Sequence, residues 1–468
     1  MPKSESKQHK PNKKSWQHYL EAYMFTRYQK WESISITGNV TCVAQKAFGH
    51  LQHLKNLSIS HTKLQTFEAE VFHPKNVLEH LQLNNNKFTT IPQHIFNKTP
   101  HLSFLDLNFN PIVHQNCTTI GEQFHNLNQL TSLGLGNMTV NYECWTSIPS
   151  DFFQPLHKTL MSLHITKTNV FEGDITIFKH FQMLKVLDIS MAMSFKNCPG
   201  AAEELFWNLP QSIELLVMQC WAAILLFEWW NCTLTTTKIA GLKSLKRLKH
   251  LDMKYGDLIF GHELDRNLFS GFKMLEHLDI GWCRFSKVVD FAFSECRKLT
   301  ALSLDGNPLG NRRFILFFFD GPCQLTTLNL AYAGLKSEFN MDLRLDFTLR
   351  GSVRNLDLAG NLIRHMPRFT GHTVTDISTL TSIVLDNNFI EDFIYNTGGK
   401  FSDHCGLILK LTYLIMQNND LIDLRYLCKS LTHLNLSNNR RLKERWLKNQ
   451  AELSNSATCK FLSLKGIM

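Results

Sequence analysis

Apolar residues recur along this chain in one string, L-x-x-L-x-L-x-x-N-x-L, in which Ile, Val, Met or Trp sometimes stands in for Leu. The clearest copies are LEHLQLNNNKF from Leu78, LSFLDLNFNPI from Leu102, LTALSLDGNPL from Leu299, VRNLDLAGNLI from Val353, LTSIVLDNNFI from Leu380 and LTHLNLSNNRRL from Leu431. Weaker copies bring the total to sixteen, with starts at Trp31, Leu54, Leu78, Leu102, Leu130, Leu160, Leu184, Ile213, Leu248, Leu275, Leu299, Leu325, Val353, Leu380, Leu411 and Leu431. The alternation in L-x-L predicts a short strand, with both leucines on one side and the residue between them on the other. A single unit cannot bury its own leucines, whereas stacked units share a continuous core through contacts with their neighbours alone. Asparagines at the ninth position, among them Asn86, Asn110, Asn307, Asn361, Asn388, Asn419 and Asn439, are expected to satisfy backbone groups where the chain leaves the strand.

A second pattern lies on the return leg. A phenylalanine stands six residues before the next copy's first apolar position at Phe48, Phe72, Phe96, Phe124, Phe178, Phe269, Phe293 and Phe319, and seven before it at Phe153 and Phe206. These rings are expected to stack as a spine through the half of the core away from the strands.

A repeat of this string with a phenylalanine spine resembles the leucine-rich repeat of animal extracellular receptors. It differs from the longer, helix-bearing repeats of cytosolic ribonuclease-inhibitor-like and NOD-like proteins. Intervals between starts run from 20 to 35 residues, five of the fifteen being 23 or 24. That unevenness resembles the Toll-like receptors more than the steadier small proteoglycan-like or Slit-like proteins. The resemblance covers residues 31–468. It implies an α/β leucine-rich-repeat solenoid, curved like a horseshoe, with parallel strands on the concave face and loops or short helical turns outside. It also implies a signal peptide, cysteine-rich caps, a membrane span and a cytoplasmic TIR domain, which the sequence does not display. Residues 1–30 read as a basic extension in place of a cap. The closing CKFLSLKGIM reads as the first strand of a seventeenth copy, with Leu462 and Leu464 inward, so the array is expected to continue in a longer protein.

Composition narrows the function class. With 44% hydrophobic and 19% charged residues the chain has the means to build a large core. The net charge of +9 includes Lys3, Lys7, Lys10, Lys13 and Lys14, which leaves the repeats only mildly basic. Twelve cysteines form no C-x-x-C pair, so a zinc module is not expected. Neighbouring pairs open to disulfide formation are Cys117 with Cys144, Cys220 with Cys232, Cys283 with Cys296 and Cys405 with Cys428. The longest apolar runs, Trp221 to Phe227 and Phe314 to Phe319, fall short of the roughly 20 residues that cross a bilayer. No phosphate-binding loop, metalloprotease, nucleophile-elbow or kinase motif occurs, so no catalytic residue and no cofactor is expected.

Seven N-x-[ST] sequons point to the secretory pathway. Asn39 falls at a ladder position, where a buried amide could not carry a sugar, and Asn56 and Asn435 fall on strands. Asn97, Asn116, Asn137 and Asn231 fall in turns or insertions and are the expected glycan carriers. Binding candidates lie on the strand face. His80, His250, His277 and His433 share one column there, with His164 in the next. Protonating all 21 histidines would move the formal charge from +9 to +30 and favour an anionic ligand in an acidic compartment. Asp106, Asp188, Asp252, Asp279 and Asp357 occupy the position between the inner leucines, an expected structural element of the repeat. Lys243, Lys246, Arg247 and Lys249, with Arg440, Arg441, Lys443 and Arg445, form two basic groups able to meet phosphates. The longest interval carries Trp221, Trp229 and Trp230, aromatic residues suited either to a contact or to packing.

The resemblance implies the ligand-recognition region of a Toll-like receptor, extracellular or in the endosomal lumen, binding a protein or microbial ligand and pairing as a homo- or heterodimer. Nucleic acid is a further ligand class that the resemblance implies. The alternatives are an adhesion or guidance protein with a protein partner, and a cytosolic scaffold.

Overall fold

The computed structural model describes residues 18–112, 124–137, 152–167, 175–191, 201–220, 239–256, 262–310, 324–336, 346–348, 353–370, 379–391, 396–397, 400–401, 410–422, 430–442, 461–463 and 465. The chain divides into two compact units, Met1–Val217 with Ile224–Glu228, and Met218–Ala223 with Trp229–Met468.

In the first unit each repeat contributes one strand: β1 (Ser33–Ile36), β2 (Asn56–Ile59), β3 (His80–Gln82), β4 (Phe104–Asp106), β5 (Ser132–Gly134), β6 (Ser162–His164), β7 (Val186–Asp188) and β8 (Leu215–Val217). Each pairs in parallel with the next, and the inner leucines Leu57, Leu81, Leu105, Leu133, Leu163, Leu187 and Leu216 stand in register. The second unit repeats the arrangement with β9 (His250–Asp252), β10 (His277–Asp279), β11 (Ala301–Ser303), β12 (Thr327–Asn329), β13 (Asn355–Asp357), β14 (Ser382–Val384), β15 (Tyr413–Ile415), β16 (His433–Asn435) and β17 (Phe461–Ser463). These too run in parallel, one repeat to the next. The chain is therefore a parallel-strand leucine-rich-repeat solenoid. Each fully buried leucine contributes roughly 1.5–3 kcal/mol relative to exposure, and the repeat places several in every turn.

The return legs are loops, 3-10 turns and short helices such as Gln93–Phe96 and Ala201–Asn208. Among the described residues no helix is long and apolar enough to cross a membrane. The expected spine is present. Phe48 and Phe72 stack at 5.8 Å, Phe269 and Phe293 meet at 5.4 Å, and Phe96, Phe124, Phe153, Phe178 and Phe206 are buried. Phe319 lies outside the described residues.

The ninth-position asparagines form the expected ladder. Asn307 donates from Nδ2 to the carbonyls of Ile280 (3.0 Å) and Leu304 (2.9 Å), and its Oδ1 accepts the Cys283 N–H (2.9 Å). Asn86, Asn110, Asn361, Asn388, Asn419 and Asn439 are likewise buried, each donating to its own repeat and to the one before. Asn39 departs from the pattern. It is exposed, and Gly38 before it takes φ 120° where most copies have 53–67°. The expectation that its amide is buried is therefore corrected.

Two further expectations change. Residues 18–30 are grouped with the basic extension by sequence, yet Tyr19–Leu20 pairs in parallel with Cys42–Val43, Leu20 and Phe25 are buried, and Phe25 stacks on Phe48 at 5.3 Å. Apolar side chains here cover the end of the spine, which basic composition further upstream obscured. Cys283 and Cys296 do not form a disulfide. Cys283 occupies a ladder position and donates from Sγ to the carbonyls of Met253 (3.3 Å) and Gly281 (3.4 Å). Cys296 sits on the return leg and donates to Phe269 O (3.6 Å). The repeat places them on opposite legs of one coil, so closeness in sequence is not closeness in space. The pairs Cys117–Cys144 and Cys405–Cys428, and Cys232, lie outside the described residues.

Candidate ligand-binding face

The outward residues of the strands form columns one repeat apart. In the first unit His80 is exposed and stacks on Phe104 at 5.6 Å. His164 is held between Ser162, whose Oγ lies 3.0 Å from Nε2, and Asp188, whose carboxylate lies 3.6 Å from Nδ1. Burial alone would raise the Asp188 pKa, but the His164 and Ser190 hydrogen bonds outweigh it and hold the carboxyl below its ordinary value. In the second unit His250 and His277 stack face to face at 4.4 Å, and His433 lies between Tyr413 (5.6 Å) and Phe461 (6.0 Å). The structure thus joins one pair of the candidate histidines and spreads the others along the strand face of their own unit.

The aspartates between the inner leucines act as local caps. Asp106, Asp188, Asp252, Asp279 and Asp357 each accept the backbone N–H two residues on, at 2.9–3.0 Å. Asn329 and Asn435 do the same at 3.0 and 3.1 Å, so the cap needs an oxygen acceptor and not a charge. Burial pushes Asp106, Asp357 and Asp386 above the usual carboxylate range. Asp279 reaches about 6, through burial first and then the neighbouring Asp252 and Asp305 charges, against the pull of Lys254. Lys254 reaches Asp305 at 3.1 Å and Asp279 at 4.0 Å; burial alone would lower its pKa, but these two carboxylates raise it overall.

Sequence reasoning missed an aromatic surface feature among the described residues. The residue just before each ladder position sits in the left-handed region, where Asn and Gly are the least strained choices. Asn85, Asn387, Asn418, Asn438, Gly306 and Gly360 follow that rule. Tyr255, Trp282 and Tyr332 break it, with φ of 61°, 55° and 54° and exposures of 43%, 41% and 51%. Tyr255 and Trp282 lie 6.2 Å apart and Trp282 and Tyr332 5.9 Å apart, forming one aromatic strip in the second unit. Trp282 Nε1 donates to Asp305 Oδ2 at 2.7 Å. The rings lie over the next repeat's glycine: a Cβ added at Gly306 would run into the Trp282 indole, and one at Gly360 into Tyr332. The signal was available as an aromatic one place before each ladder residue, had the handedness of that position been known.

Other candidates are placed as follows. Lys243 Nζ is engaged by Asn267 O at 2.9 Å, and Arg441 approaches Glu391 at 3.9 Å. Lys443, Arg445, Trp221, Trp229 and Trp230 lie outside the described residues. Asn97 is exposed at the end of a helical turn, and its Oδ1 accepts from Asn126 at 2.7 Å. Asn137 is half-buried in a left-handed position, while Asn116 and Asn231 lie outside the described residues.

Residues 18–154 match the family model for the BspA type leucine-rich repeat region, in six copies. No curated protein sequence matches. Among solved structures the chain is similar to the crystal structure of the TLR13–ssRNA13 complex, with a TM-score of 0.52 and 18% identity, over 91% of this chain and 68% of that one. At that identity the likeness is one of fold.

Proposed function

We propose that this chain is the ligand-recognition region of a Toll-like innate immune receptor, acting by binding and by pairing of two such regions, with no chemistry of its own. The observation that carries the reading is the aromatic strip Tyr255–Trp282–Tyr332. A bulky residue in the left-handed region costs of order 1 kcal/mol relative to Gly or Asn, and large exposed rings add no core. Three such rings side by side, with glycines clearing space for two of them, fit selection for contact with a partner. The fold shared with a receptor complexed to single-stranded RNA supports the receptor reading. The lumenal or extracellular location and the glycans at Asn97, Asn116, Asn137 and Asn231 belong to the same proposal.

The test is a chimera placing this chain ahead of a membrane span and a TIR domain in reporter cells exposed to microbial nucleic-acid and protein fractions. A response to one fraction, reduced at least tenfold by Trp282→Ala with Tyr332→Ala, is expected. A surface-expressed chimera that stays silent to every fraction would count against the receptor reading. The adhesion reading has one observation in its favour. The carboxylates of Asp252, Asp279, Asp305, Asp357 and Asp386 are neighbours that act on one another, and Asp305 accepts from Trp282 Nε1, so the strip borders an acidic run that suits a basic protein better than phosphate.

A further inference from the structure

We propose that His250, Glu276 and His277 form a site for a single borderline transition-metal dication, Zn2+ above all, on the strand face of the second unit. Parallel pairing sets His250 of β9 opposite His277 of β10, and their imidazoles stack with 4.4 Å between centroids and 17° between planes. One donor atom from each of the three side chains lies within 4.8 Å of the other two. Two imidazole nitrogens and a carboxylate oxygen are a donor set that Zn2+ takes at about 2.0–2.2 Å, leaving a fourth position for water. Donors around a tetrahedral ion at that length stand about 3.3 Å apart and the ion lies in the plane of each imidazole, so to close the site the two rings turn out of their stack until their lone pairs converge. Mg2+ and Ca2+ prefer all-oxygen shells, whereas imidazole selects the later first-row metals.

The backbone beneath is fixed, which keeps the cost of organising the donors low. The N–H groups of Glu276 and His277 both donate to Lys249 O, at 2.7 and 2.9 Å, and Glu276 O accepts from Thr300 and Ala301 at 2.8 and 3.1 Å. The donors come from consecutive repeats, so no short spacing in the sequence announces them. The site is independent of the aromatic strip and of the receptor reading.

Titrating the full chain with Zn2+ alone by calorimetry, with thiols blocked beforehand, tests the assignment. One ion per chain is expected. Loss of a direct ligand in His250→Ala or His277→Ala should weaken binding by at least the ~10–100-fold that loss of an outer-shell partner costs, with Glu276→Gln weaker than the parent and His433→Ala unchanged. Absence of binding, or equal binding by the His250→Ala/His277→Ala double variant, overturns the proposal. A measurement on the unaltered chain covers the case of a variant that fails to fold. Zn2+ should shield His250 and His277, but not His433, from diethylpyrocarbonate, and equal labelling of all three with and without Zn2+ overturns the site as well.

Discussion

Asn307→Ala removes one buried amide and leaves three backbone groups without their partner: the carbonyls of Ile280 and Leu304 and the N–H of Cys283. Asn307 and Cys283 are both 0% exposed, so bulk water does not reach these groups. An unsatisfied buried polar group costs about 1–3 kcal/mol, and a water entering the vacated space would recover part of it. The expected loss is about 3–5 kcal/mol, felt in the repeats on either side because a solenoid transmits stability through neighbours. Hydrogen exchange read by mass spectrometry over residues 275–310, together with urea unfolding, measures it without assuming two-state behaviour for the whole array. Asn307→Cys should recover part of the loss, since Cys283 already serves a ladder position with its thiol. A loss below about 1 kcal/mol with unchanged exchange of the Cys283 amide would refute the view that the ladder holds neighbouring repeats together.

Three other outcomes follow from the same geometry. Asp279 is raised from 3.8 to about 6, so its contribution to stability is whole below pH 4 and is lost as pH rises through 6. The shift corresponds to about 3 kcal/mol, which 32% side-chain exposure cuts to about 1–2 by screening. Asp279→Asn, which keeps the cap as Asn329 does, should therefore stabilise at pH 7 by that amount and converge with the parent at pH 4, in paired urea melts. Gly306→Ala should cost about 1–2 kcal/mol through its φ of +67° and displace the Trp282 ring; an unshifted unfolding midpoint would contradict the packing described. Burial pushes Cys283 and Cys296 to about 12, so iodoacetamide at pH 8 should label them slowly when native and quickly in guanidinium, as peptide mass spectrometry would read.

Much of the fold is legible because the leucine period and the asparagine position are both dictated by burial, which acts the same way in every repeat. Leu302 and Asn307 can be assigned their places with no coordinates at all. Cys283 is misleading for the converse reason: its type suggests a disulfide, but its position within the string had already assigned it a ladder role. The candidate site is less legible. A left-handed backbone leaves no mark on hydrophobic periodicity, so Tyr255, Trp282 and Tyr332 do not stand out in the string. The repeat alignment already sets His250 and His277 in one column of consecutive repeats, 27 residues apart; what it leaves unread is the stacking of their rings and the approach of the Glu276 carboxylate.

The left-handed position carries one more consequence. Its backbone is clamped by the ladder beside it whatever side chain it bears, since Asn, Gly, Lys, Met, Phe, Tyr and Trp all occur there with φ near 60°. Each repeat therefore offers a socket whose occupant can be exchanged without changing the path of the coil, at a cost of about 1 kcal/mol and only where the neighbouring socket leaves room, as Gly306 does beside Trp282. A lineage can rewrite such a surface letter by letter, and specificity can drift along the array while the scaffold stays unchanged.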